Sequence, residues 1–207
     1  CLVGSEMCIR DSGNALEVKD AIDVLAGRTQ GDLLEISLLL GSHMLVLAEK
    51  AKTLPEARAM LENALSSGAG LRKLAEMIAA QGGDPRVVED LSLLPQAAVK
   101  RVMRAETAGY LSAMDTTALG MAAQRMGAGR AKKSDMLDYS VGYVLHVRLG
   151  DEVTEDTPLA TLYARNEAEA EEAEKAIRKA LTIAREKPQT PKLWDAVVTA
   201  EEIIYNR

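Results

Sequence analysis

Apolar positions recur at spacings of three and four between residues 14 and 83, the period of helices that bury one face. Val18, Ile22 and Leu25 form the first stripe, and Gly27 supplies a stop after it. Asp32, with Glu35 three residues on, has the spacing of a capping box and predicts a helix start before the apolar run 36–48. That run is interrupted by Ser42 and His43 and falls short of the roughly 20 residues that span a bilayer, so it predicts a buried helix. Thr53 and Glu56 repeat the capping device. Ala57, Met60, Leu61, Ala64 and Leu65 then line one face up to Gly68, and Leu71, Leu74, Ala75 and Ile78 line another up to Gly82 and Gly83.

The period changes after Asp84-Pro85 and Leu94-Pro95, which places a boundary near residue 95. Residues 98–104 and 109–114 read as strands, and Thr116 or Thr117 is placed to cap a short helix ending at Met126. The loop 127–133 leads to a strand over 141–148, a turn at Gly150 and Asp151, and another strand over 158–163. Asn166 caps a last long helix. In it Glu167, Glu169, Glu171, Glu172 and Glu174 precede Lys175, Arg178, Lys179 and Arg185, an order that complements the helix dipole. Ala173, Ile177, Ala180, Leu181 and Ala184 supply its buried stripe, so the charges form a solvated face and no catalytic carboxylate pair. The fold expected within the chain is α+β. A helical segment over 13–95 precedes a β-rich unit over 96–207, which has a helix inserted between its halves and a C-terminal helix.

Composition narrows the function classes. With 207 residues, 47% hydrophobic and 27% charged, the chain matches a soluble globular protein of one large or two small domains. Aromatics make up only 3% and Phe is missing, so the apolar volume comes from Ala, Leu and Met, which favour helices. A formal charge of -6 argues against nucleic acid as the main partner, and no segment is long enough for a membrane span. Both cysteines, Cys1 and Cys8, lie in the first eight residues and supply neither a disulfide framework nor a metal cluster, which points to the cytoplasm. Residues 1–12, CLVGSEMCIRDS, show neither helical nor strand periodicity and lack the regions of a signal peptide. Residues 7–11, MCIRD, look like the translation of a transposon end used in sequencing libraries. Residues 1–12 are therefore expected to be an artefact, with the natural sequence beginning near Gly13 and its upstream part missing.

Candidate chemistry is sparse. His43, among Leu40, Met44 and Leu47, has no Cys or second His at ligand spacing and reads as a satisfied core histidine. His146, alternating with Leu145 and Val147, reads the same way. No nucleophile-elbow, zincin, Walker A or dinucleotide signature is present. The loop 127–133 carries glycines with Arg130, Lys132 and Lys133, a set that could face a phosphate or simply be solvated.

The segments GYLSAM (109–114), GYVLHVRLGDEV (142–153) and PLATLY (158–163) resemble the biotinyl or lipoyl carrier fold, in which two short hairpin units make a barrel-like sandwich. A carrier would place a modifiable lysine at the turn after the last of them. Residues 162–166 read LYARN there, which disfavours a non-enzymatic sandwich module with a helical extension.

Four further blocks, GNALEVKDAI (13–22), LGSHM (40–44), AAQGGD (79–84) and GAGRAKK (127–133), resemble the pyrimidine-nucleoside phosphorylases, the family that includes thymidine phosphorylase, in family order. The likeness runs from Gly13 to the C-terminus and is closer to the broad-specificity enzymes. It implies an α/β fold: a small helical domain beside a large α/β domain to which 13–95 contributes helices, followed by the sandwich-like domain over 96–207. It also implies a homodimer that cleaves uridine, thymidine or deoxyuridine with phosphate, giving free base and a (deoxy)ribose 1-phosphate for nucleoside salvage. The phosphate site and the Arg and Lys that grip the base would lie upstream, so no catalytic or base-binding residue maps here. No cofactor is required for the chemistry. A potassium ion is implied, with Asp20 at the acidic position in the opening helix where the family usually has Glu. The loop with Arg130, Lys132 and Lys133 would lie near the mouth of the substrate cleft and close over it.

Overall fold

The computed structural model describes residues 11–199 and 202–206. The expectation for residues 1–10, Cys1 and Cys8 included, lies outside them. The chain divides into two compact units, Glu17–Pro95 and the remainder. It combines helices with antiparallel sheets, and among the described residues no helix is long and apolar enough to cross a membrane.

The helical stretch consists of α1 (Asn14–Leu25), α2 (Asp32–Leu47), α3 (Leu54–Ser66) and α4 (Ala69–Ala80), followed by 3-10 turns Pro85–Val88 and Leu91–Leu93. Ile22, Val87 and Val88 form a buried nucleus in the Glu17–Pro95 unit, against which Leu71, Leu74, Ala75 and Ile78 pack on the stripe the spacing predicts. Thr53 caps α3 by accepting from the Glu56 N–H, while the Glu56 carboxylate reaches back to the Lys52 N–H. The second capping box does not form. Gly31 occupies the cap of α2 without a side-chain bond, and Glu35 instead binds Arg58 on α3 at 2.9 Å, so an inter-helix partner wins over the local one. Nor is α2 buried all round. Ile36, Leu38 and Ser42 are buried, but Met44 and Leu47 are 68% and 84% exposed, because the neighbouring short helices do not cover that face. Val18, expected in the stripe of α1, is also exposed.

The other unit holds the larger core. Strands β1 (Asp11–Ser12), β2 (Val99–Arg104), β4 (Gly142–Leu145) and β6 (Pro158–Ala164) form a sheet of order β1-β4-β6-β2. Strands β3 (Gly109–Met114), β5 (Glu152–Val153) and β7 (Leu181–Ala184) form a second sheet of order β5-β3-β7. The helices α5 (Thr116–Met126) and α6 (Glu167–Ala180) join both sheets in one core that contains Met103, Leu111, Leu119, Tyr143, Leu162 and Ile177, all fully buried. Asp11–Ser12, expected to carry no regular structure, pairs with Tyr143 and Val144.

Three boundaries differ from the sequence reading. Asp115, not Thr116 or Thr117, caps α5 by accepting from the Ala118 N–H at 2.9 Å; its carboxylate also suits the positive helix end. The strand expected over 141–148 runs over Gly142–Leu145, with one further bond from the His146 N–H to the Leu159 carbonyl, before the Asp151 carboxylate takes the Arg148 N–H and turns the chain. The last long helix stops at Ala180, where Leu181 turns extended and β7 pairs with β3. The chain therefore ends in strands, not a helix: β7 is followed by the hairpin of β8 (Ala196–Val198) and β9 (Ile203–Tyr205).

Candidate functional site

The basic loop after α5 is built from the helix end outward. Gly127 closes α5 in a left-handed conformation with φ 106°, which a side chain would strain. Its carbonyl accepts from the Asp138 N–H at 3.0 Å, and the Ala128 carbonyl accepts from Asn14 Nδ2 at 3.1 Å. Gln124 Nε2 donates to the Arg130 carbonyl at 2.7 Å. The Ala131 and Lys132 N–H groups both point at Asp135 Oδ2, at 3.1 and 2.8 Å. Hydrogen bonds from the Ser140 hydroxyl and N–H hold the Asp138 carboxyl below the ordinary carboxylate range, outweighing the opposing effect of its partial burial, and the nearby Arg165 charge adds to the lowering.

The loop backbone is thus braced, while Arg130, Lys132 and Lys133 are all exposed, with no ion pair to any of them among the described residues. Three such exposed cations can attract an anion, although the Asp135 carboxylate already takes the Ala131 and Lys132 N–H groups of the loop. The sequence reading found the cations and missed Asp135 and Gln124, which shape the loop. The available signal was an acidic residue three positions after Lys132, the spacing at which a carboxylate accepts backbone N–H groups.

Asp20 lies half-buried on α1 and has partners of its own. A hard cation needs several oxygen donors, and among the described residues no group of three or more His, Cys, Asp or Glu is placed to hold a metal. Asp20 by itself does not make such a site. Asp23, one turn on, is the buried acid of this helix at 8% exposure, with Lys19 Nζ at 2.5 Å and Arg28 Nε at 2.7 Å. Burial alone would raise its carboxyl, but the hydrogen bonds from Lys19 and Arg28 outweigh it and hold the group below the ordinary carboxylate range.

That depression sets a sign. A carboxyl that titrates lower when folded adds stability above its unfolded value, and the gain fades as pH falls through the folded value. Asp23→Asn is expected to cost about 1 kcal/mol at neutral pH, after allowance for the half-exposed Lys19 and Arg28, and almost nothing in strong acid. Urea midpoints of both proteins at the two pH values check this; an equal gap at both removes the ion pair as the cause.

The histidines differ from expectation. His43 is half-buried on α2, and its Nε2 is buried with no hydrogen-bond partner among the described residues, so it is not satisfied. His146 is exposed rather than in the core, with Nε2 2.7 Å from Thr161 Oγ1. At the turn where a carrier would present its lysine, Arg165 binds Glu169 at 2.8 Å and Asn166 caps α6.

Residues 110–184 match the family model described as the pyrimidine nucleoside phosphorylase C-terminal domain. The chain is 45% identical over 187 residues to the pyrimidine-nucleoside phosphorylase of Bacillus subtilis (strain 168), covering 90% of this chain and 43% of that protein. It is 48% identical over 155 residues to the Geobacillus stearothermophilus protein of the same name, covering 75% and 36%. A third, from Staphylococcus aureus (strain USA300), is 42% identical over 175 residues, covering 84% and 40%. The chain thus spans about two fifths of the length of the curated relatives it matches.

Proposed function

This chain belongs to the pyrimidine-nucleoside phosphorylase family, and from that premise we propose that it is the C-terminal part of a cytoplasmic, homodimeric enzyme of nucleoside salvage. Its substrates are phosphate and a pyrimidine nucleoside: uridine, thymidine or deoxyuridine. A phosphate oxygen bonds to the sugar C1 as the C1–N bond breaks, and the bonding pair leaves with the base, which takes up a proton. The products are a free base and a (deoxy)ribose 1-phosphate. Such a reaction depends on positioning and charge stabilisation more than on a protein nucleophile. The observation that carries the reading is the 45% identity over 90% of the chain to a protein of that name. The test is phosphate-dependent release of uracil or thymine by the full-length protein. Release that ignores phosphate, or none, overturns it.

Within that enzyme Asp20 supplies one oxygen to a potassium ion whose remaining donors lie upstream. Potassium is therefore expected to raise the melting temperature of the full-length protein by an amount that grows with ion concentration, since a ligand of the native state stabilises by mass action. Asp20→Ala should reduce that gain. An equal shift in both proteins takes Asp20 out of the site.

The loop with Arg130, Lys132 and Lys133 acts as a lid that favours the anionic substrate or product. Its support is three exposed cations that carry no ion pair among the described residues. Arg130→Ala in the full-length enzyme should lower kcat/KM about tenfold, the effect of losing roughly 1.4 kcal/mol of transition-state binding, with the melting temperature almost unchanged. Unchanged kinetics, or a loss explained by unfolding, rejects the lid.

A further inference from the structure

We draw no further inference here: the strongest candidate, the exposed apolar stripe of Leu33, Leu40, Met44 and Leu47 along α2 with the apolar cavity of about 290 Å³ among the helices of the same unit, is an unpartnered face, and nothing in the structure shows what covers it.

Discussion

Assayed by itself, the 207-residue chain is expected to release no uracil or thymine from uridine or thymidine above a heat-killed control. We propose that the phosphate site and the base-gripping Arg and Lys lie upstream, as the family resemblance implies; this chain spans about two fifths of its relatives. Holding phosphate and nucleoside in line is worth roughly 7–11 kcal/mol of the barrier in such reactions, and that contribution goes with the groups that bind them. The cations of the basic loop do not replace it, because three exposed charges on one loop attract an anion without holding the sugar and the base in line. Phosphate-dependent base release by the chain alone would overturn this assignment of the missing groups. Recovery of activity when the upstream part is supplied, by fusion or co-expression, would support it.

Gly109→Val should unfold the β-rich unit or weaken it by about 3 kcal/mol or more. Gly109 opens β3 with φ +155°, and a Cβ there would lie 2.4 Å from the Ala184 carbonyl and 2.9 Å from Ile183 Cγ2. Both obstacles belong to β7, whose pairing with β3 places Tyr110 opposite Ala184 and Leu111 opposite Ile183. A backbone carbonyl in a strand cannot move aside without breaking that pairing. Leu111 is fully buried in the core shared by both sheets, so displacement of β3 would reach Tyr143 and Leu162. Gly82→Ala is the control: its φ is also positive, at +81°, but no atom lies within 4 Å of the added Cβ, so it carries only the backbone cost. Chemical denaturation followed by circular dichroism measures both. If the two variants lose the same stability, the contact with β7 is not the cause.

Much of the architecture is written locally. The stripe of α4, the Thr53 cap, the stop at Gly27, the strands β2, β3 and β6 and the Asn166 cap all depend on residues within a few positions of one another. Short-range spacing therefore suffices to place them. The family blocks are local in the same sense, being short runs of residues in order, and the comparisons agree with the family they name. The braced form of the basic loop was less legible, since beside its local bonds it includes one from Asn14 to Ala128 across more than a hundred residues.

What the sequence determined by itself is thus the set of elements, their faces and the family. Only the tertiary structure decided where the elements end and which faces find cover. Leu181 and Ala184 continue the helical period of α6, yet β3 offers them an open edge, and inter-strand hydrogen bonds outweigh a weak local preference. Glu35 stands at capping-box distance from Asp32, yet Arg58 on the next helix takes it. Met44 and Leu47 are as apolar as any core residue and still face outward, because apolarity records a tendency to be buried while burial requires a surface to pack against.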